Sequence, residues 1–257
     1  MALLELKEIS KDFGGLRALN KVSIKIDIGE IIGLIGPNGA GKTTLFNVVS
    51  GFYKPSGGSV LFKEENITDL KPFQIASKGL VRTFQESNLF HEFSVEKNVF
   101  IGCYLRTQYA FFEQMLKTSK AIEKYRYPYK QISEILELLK MSSVKDELAK
   151  NLPHGLQRAL GIAIALAAEP ELLMLDEPFA GMNAEETSSM MTHVREIHQE
   201  KNVTILLVEH DMRAVMGLCD RVFVLNFGEK IAEGTPEQIQ NNPEVVEAYL
   251  GVNEDVV

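Results

Sequence analysis

Directly after the apolar run Ile31-Ile32-Gly33-Leu34-Ile35 the chain reads Gly36-Pro37-Asn38-Gly39-Ala40-Gly41-Lys42-Thr43. A run of that kind reads as a buried strand, and the glycines that follow let the backbone curl where side chains would obstruct it. The curl turns N–H groups inward, and a helix opening near Lys42 presents its positive dipole end to the same hollow. The spacing G-x-x-x-x-G-K-[ST] is that of a phosphate-binding loop, or P-loop. It commits the chain to strand, loop and helix in that order, hence to an α/β core. In this reading Gly36, Pro37, Asn38, Gly39, Ala40, Gly41 and Thr44 surround a polyphosphate such as that of ATP. Lys42 reaches its β- and γ-phosphates, and the Thr43 hydroxyl ligates Mg²⁺. The alternative is a glycine-rich turn with no ligand. All four fixed positions are matched, and Thr44-Leu45-Phe46-Asn47-Val48 continues as a helix, so nucleotide binding is the expectation.

The chain's 257 residues suit one large α/β domain or one domain carrying a subdomain. A net charge of −8 without any basic block gives no support to a nucleic-acid partner. The longest apolar stretch, Ala159 to Ala168, is about half of the ~20 residues that cross a bilayer. The opening Met1-Ala2-Leu3-Leu4-Glu5-Leu6-Lys7-Glu8 has neither a basic segment nor a long apolar one. Cys103 and Cys219 show no metal-ligand spacing and read as free thiols in a reducing cytoplasm rather than as a pair.

Along the chain, Leu3 to Ile9 and Lys21 to Ile28 alternate as antiparallel strands around Gly14-Gly15. Turns at Gly51 and Pro55-Ser56-Gly57-Gly58 precede a strand at Ser59 to Phe62, and Val81 to Phe84 is a further strand. From Val95 to Leu152 the pattern is helical. After Pro153 come a helix to Ala168, a strand at Leu172 to Leu175, a helix from Ala184 to Glu200 and a strand at Val203 to Val208. Helix and strand in turn predict a parallel sheet. A hairpin around Asn226-Phe227-Gly228-Glu229 and a capped helix at Thr235-Pro236-Glu237-Gln238 follow.

Leu172-Leu173-Met174-Leu175-Asp176-Glu177 is a buried strand ending in two carboxylates, the Walker B pattern. Asp176 is expected to hold Mg²⁺, and Glu177 to orient and deprotonate the attacking water. His210 stands at the carboxyl end of another predicted strand, where open α/β sheets place ligands, and an imidazole there can donate to a γ-phosphate. Gln85 can ligate Mg²⁺ or the water through its amide oxygen and release it when phosphate leaves. Phe13 stacks on an adenine or belongs to the core. His193 and His198 are expected to be solvated on a polar helix, and His91 to lie in a loop.

Phe13, the P-loop, Gln85, the segment Leu152-Pro153-His154-Gly155-Leu156-Gln157-Arg158, the Asp176-Glu177 pair and His210 occur in the order of the ATP-binding cassette (ABC) ATPases, which the chain resembles over nearly its whole length. Arg82-Thr83-Phe84-Gln85, Gly181-Met182-Asn183 and Val245-Val246-Glu247-Ala248-Tyr249-Leu250-Gly251 resemble the ATPase subunit of branched-chain amino acid importers. The resemblance implies a mixed parallel core sheet with an antiparallel β subdomain, a nucleotide-binding core at 1–94 and 153–257, and an inserted helical subdomain at 95–152. It implies catalysis by Glu177, His210, Gln85 and Lys42, and Mg²⁺ held by Thr43, Gln85 and Asp176. It also implies head-to-tail pairing with a second cassette, the same chain or a paralogue, so that Leu152, Pro153, His154 and Gly155 meet the partner's ATP. The partners implied are transmembrane permeases, fed by a solute-binding protein, on the cytoplasmic face of the membrane. Pro153, His154 and Leu156 depart from the L-S-G-G-Q signature. Either His154 replaces the lost donor, or this segment forms a weaker half-site. A soluble ABC protein without a transport role and an ATP sensor with little hydrolysis are the competing classes.

Overall fold

The computed structural model describes residues 1–83, 89–103 and 119–250. Strands β1 (Ala2–Phe13) and β2 (Leu16–Asp27) form a hairpin, and β4 (Gly57–Phe62) and β5 (Glu65–Asn66) extend it to a four-stranded antiparallel sheet of order β2-β1-β4-β5. Both hairpin strands outrun the expected segments. Register shifts between Leu6 and Asp12 break the alternation on which the sequence reading relied.

The second sheet contains β3 (Ile31–Ile35), β6 (Leu80–Arg82), β7 (Leu172–Asp176), β8 (Thr204–Val208), β9 (Arg221–Asn226) and β10 (Glu229–Gly234), in the order β10-β9-β3-β8-β7-β6. Every pairing except β9–β10 is parallel. Strands β3, β7 and β8 are buried at all positions, as a sheet covered on both faces requires. Their residues divide by parity. Ile31, Ile35, Leu173, Leu175, Ile205 and Leu207 join one core, whereas Ile32, Leu34, Leu172, Met174, Leu206 and Val208 join the other.

The second of these cores is closed by the antiparallel sheet and helix α1 (Lys42–Val49), which buries Leu45, Phe46, Val48 and Val49. Helix α2 (Pro72–Ser77) adds Ile75. The first core is closed by α3 (Val95–Gly102), α4 (Ser119–Leu138), α5 (His154–Leu166), α6 (Ala184–Lys201) and α7 (Met212–Leu218), with α8 (Pro236–Gln240) and α9 (Pro243–Leu250) at its margin. Between α4 and α5 run two short 3₁₀ turns, Ser142–Val144 and Ala149–Asn151. Among the described residues no helix is long and apolar enough to cross a membrane.

Helix α6 corrects one expectation. Met190, His193, Val194 and Ile197 are its buried residues, so His193 lies within an i, i+3, i+4, i+7 stripe and is not solvated. Its Nδ1 lies 3.4 Å from Glu196 Oε2. His198 is partly buried, with Nδ1 2.9 Å from the Val203 carbonyl. Helices α2, α7 and α9 escaped the periodicity argument because they span 6, 7 and 8 residues. Their signals are local: Pro at the first position of α2 and α9, and Asp211 capping α7 by accepting from the Arg213 and Ala214 amides.

Asn98 is fully buried on α3 and clamps the preceding loop. Its Oδ1 accepts from Phe90 N at 2.9 Å, while Nδ2 donates to the carbonyls of Phe90, Phe93 and Ser94 at 3.0–3.2 Å. Asn98→Ala should lower stability by about 2–3 kcal/mol, because several buried backbone groups lose their partner; an unchanged urea midpoint would refute the clamp. Cys103 and Cys219 are free and buried, and burial pushes their thiols up to about 11 and about 12. Both should resist a thiol reagent at pH 8, where the thiolate is about one part in a thousand or less, and react together on unfolding. Rapid labelling of either in the native protein would contradict their burial.

Candidate active site

The loop that leaves β3 is shaped by close backbone packing. Gly36 has φ +151°, and a Cβ there would stand 2.1 Å from the Leu225 carbonyl oxygen. Gly41 has φ +102° and caps α1, where a Cβ would fall 2.7 Å from Ala18 O. No side chain caps α1 and no acid occupies its first turn, which leaves its N-terminal amides directed at the loop. Lys42 folds back over this loop, donating to Gly36 O at 2.7 Å and Pro37 O at 3.0 Å. Burial pushes the Lys42 ammonium below its usual range, against the opposing pull of the Glu177 charge. A half-desolvated cation held by carbonyls beside a helix N-terminus that no side chain caps among the described residues fits a polyphosphate. The cleft here has a volume of about 470 Å³, and its walls include Phe13, Lys42, Thr43, Thr44, Glu177 and Phe227.

Phe13 ends β1 at 42 % exposure, so the core alternative does not hold for it. Its ring meets Tyr53 edge-on at 5.3 Å, with Lys11 Nζ 4.9 Å from its centroid.

Strand β7 delivers the two carboxylates. Asp176 is buried, and its Oδ2 accepts from Arg82 at 2.7 Å, both side chains being only 7 % exposed. Arg82 also donates to Asn47 Oδ1 on α1 at 2.7 Å and to Oγ of Ser50, the C-cap of α1, at 3.1 Å. Glu177 then takes the left-handed conformation, φ +47°, rare for a residue of its size, and donates its N–H to Val208 O at 3.0 Å. The Thr43 hydroxyl and the second Asp176 oxygen are hard oxygen donors of the kind Mg²⁺ takes alongside water and substrate phosphates.

Strand β8 ends beside them. Glu209, 1 % exposed, accepts Phe179 N–H at 2.9 Å on one oxygen and His210 N–H at 3.1 Å on the other, and it also bonds the Asp211 backbone. Burial pushes its carboxyl above the ordinary range in spite of these hydrogen bonds. His210 is largely exposed, with Nδ1 4.0 Å from both Glu177 Oε1 and Glu209 Oε2. Lys42, Thr43, Asp176, Glu177 and His210 therefore collect at the carboxyl ends of three neighbouring strands. Gln85 lies outside the described residues.

The segment 152–155 is elsewhere. Leu152 is buried, Pro153 starts α5 without a side-chain cap, and His154 is exposed, its ring 3.2 Å from where a Cβ on Gly181 would stand. Gly155 faces the Glu186 carboxylate. None of the described residues lining the cleft comes from this segment.

Sequence reasoning missed three residues at the site. Arg82 read as part of a strand and of the stretch that resembles branched-chain importer ATPases, with no role of its own, although a charge at the end of a short apolar run was the available signal. Glu209 was overshadowed by His210, although it closes the run Val203 to Val208. Tyr249 hydrogen-bonds the backbone of Gly36 from α9, a contact that no local pattern announces.

Residues 19–180 match the ABC transporter family, and residues 229–255 match the branched-chain amino acid ATP-binding cassette transporter family. The chain is 43% identical over 249 residues to the high-affinity branched-chain amino acid transport ATP-binding protein LivG of Escherichia coli K12, covering 97% of this chain and 98% of that one. It is 40% identical to BraF of Pseudomonas aeruginosa over the same shares. Among solved structures, a nucleotide-free ATP-binding cassette from an ABC transporter superposes with a TM-score of 0.83 at 34% identity, covering 98% of this chain and 100% of that one. The ADP conformation of the cassette MJ1267 gives 0.83 at 32% identity, covering 98% and 99%. The chain belongs to the ABC transporter family, among the branched-chain amino acid transport ATP-binding proteins.

Proposed function

We propose that this ABC transporter ATPase energises uptake of branched-chain or related amino acids, and that the residues gathered at the ends of β3, β7 and β8 carry out its hydrolysis. The observation that carries the proposal is the strand order. With β8 between β3 and β7, the P-loop, His210 and the Asp176-Glu177 pair share one edge. In this reading the P-loop amides and Lys42 hold the β- and γ-phosphates. Glu177 takes a proton from water as its oxygen bonds to the γ-phosphorus and the bond to the β–γ bridging oxygen breaks, leaving ADP and phosphate. His210 donates to the γ-phosphate. Thr43, Asp176 and Gln85 would hold Mg²⁺, which neutralises phosphate charge when bound.

The remaining parts of the proposal rest on family likeness. The segment Leu152, Pro153, His154 and Gly155 meets ATP on a second cassette, and residues 95–152, of which 104–118 lie outside the described residues, form an inserted subdomain that docks a permease loop. A solute-binding protein supplies the permease from outside, and the chain works as a peripheral subunit at the cytoplasmic face. A paralogous partner is favoured over a symmetric pair by one observation. Pro153 offers no side-chain donor where α5 begins, so this chain's signature is a poorer clamp than a serine would make. Loss of one transition-state donor typically costs about 2.7–4 kcal/mol.

Glu177→Gln should lower ATP turnover by about 10² to 10⁴ while leaving ATP affinity nearly unchanged. Steady-state hydrolysis and equilibrium binding separate the two, and an unaltered rate would remove Glu177 from the mechanism. Copurification with membrane subunits tests the transport assignment. Glu209 gives a pH-dependent expectation. Folding raises its pKa above the ordinary 4.5, so the folded chain holds this proton more tightly and ionisation opposes folding. Its contribution is greatest below 4.5 and is lost as pH climbs to the folded value. Glu209→Gln removes that titration, so the variant should gain on the wild type in urea unfolding as the pH rises above 4.5. A constant gap would contradict the raised pKa.

A further inference from the structure

Phe227 occupies the turn between β9 and β10, where Asn226 pairs with Glu229 and only Phe227 and Gly228 lie between. Both central residues have positive φ, +44° and +80°. That is the signature of a two-residue type I′ hairpin, which takes Asn, Asp or Gly at its first central position because a bulky side chain is strained there. Phe227 is the wrong residue for its backbone. Nor does it compensate by joining a core, since it is 88 % exposed.

The turn is nevertheless held firmly. Gly228 donates its N–H to Ala40 O of the P-loop at 3.0 Å and accepts from Asn20 N at 2.8 Å. Asn20 Nδ2 donates to Glu229 Oε1 at 2.6 Å. The Gly228 Cα lies 3.6 Å from where a Cβ on Gly41 would stand. An exposed aromatic ring is thereby fixed to the phosphate loop, and it lines the same cleft as Phe13, Leu16 and Arg17. Strain kept at a ligand cleft, with no packing return, points to a role in binding.

We propose that Phe227 is a second aromatic contact for the nucleoside of the bound nucleotide, acting beside Phe13. The inference rests on the nucleotide-cleft reading above and adds a contact from the opposite end of the sequence. Phe13 reaches the cleft from the antiparallel sheet, and Phe227 from the edge hairpin of the parallel one. The ring addresses base or ribose, whereas the loop below it addresses phosphate, so the two contributions are separable.

The experiment measures equilibrium affinity of the intact chain for ADP and for inorganic tripolyphosphate, both with Mg²⁺, together with thermal stability. Phe227→Gly should raise Tm, because glycine adopts this backbone without strain, and weaken ADP binding about tenfold. Tripolyphosphate affinity should stay unchanged. Phe227→Tyr should keep ADP affinity within about twofold, and Lys42→Ala should abolish binding of both ligands. If Lys42→Ala binds both as the wild type does, the cleft reading itself fails. If Lys42→Ala behaves as expected but Phe227→Gly binds ADP unchanged, Phe227 is no nucleoside contact. Equal weakening of ADP and tripolyphosphate by Phe227→Gly overturns the proposal as well, by making the turn a support for the P-loop.

Discussion

The pairing of Arg82 with Asp176 joins parts of the site that the fold brings in from three directions. Arg82 ends β6, Asp176 ends β7, and the same guanidinium reaches Asn47 on α1 and Ser50, which caps that helix. With both side chains 7 % exposed, losing either member strands a buried charge at a cost of about 3–5 kcal/mol. The pair is a poor source of net stability, since desolvation consumes most of its Coulomb gain. Its effect is geometric. One Asp176 oxygen is fixed by Arg82, so the direction of the other is fixed too, and that oxygen is the one left for Mg²⁺ in the proposed mechanism. Arg82 is also the last residue of β6, so the guanidinium ties the carboxylate to the end of that strand.

The parallel sheet makes this arrangement possible because it has no polar face. Each of β3, β7 and β8 sends alternate residues into two separate cores, and the carboxylates of the site stand at or just beyond their carboxyl ends. At those ends the backbone departs from ordinary geometry. Glu177 is left-handed directly after β7, while Glu209 bridges the turn after β7 to the turn after β8 through Phe179 and His210. A buried carboxylate accepting backbone amides is a stiff connector, more so than a surface ion pair. Glu177 and His210 are therefore set by backbone held from beneath.

Different kinds of signal explain how much the sequence disclosed. The P-loop was legible because its geometry depends on glycine and lysine at fixed spacing, which no packing context alters. The central strands were legible because burial on both faces leaves continuous apolar runs. His193 misled because its helix is polar on average, and only the placement of Met190, Val194 and Ile197 reveals the buried stripe. Phe13 stayed ambiguous until its exposure separated a cleft aromatic from a core one. Arg82, Glu209 and Tyr249 act through contacts 94, 30 and more than 200 positions away, and no window of sequence contains such pairs. Phe227 was visible only as part of a hairpin; its misfit appears once the turn type is known.

The divergent segment 153–155 gains meaning from what it touches. His154 lies against Gly181, and Gly155 against Glu186, whose carboxylate accepts from Asn183 N at 2.9 Å in the box that opens α6. Gly181 itself ends the turn that begins at Glu177 and is pinned at Phe179 by Glu209. The segment proposed to face a partner's ATP is thus packed on the turn that begins at Glu177, the proposed general base. In a standard signature a serine hydroxyl meets phosphate directly. Here Pro153 removes that donor, and an imidazole stands beside the Glu177 turn. A nucleotide can bias this contact only through differential interactions with two states of the pair. In the proposed pairing, His154 on one cassette and Glu177 and His210 on the other would supply them, so the asymmetry of the signature and the linkage of the two sites would rest on the same few side chains.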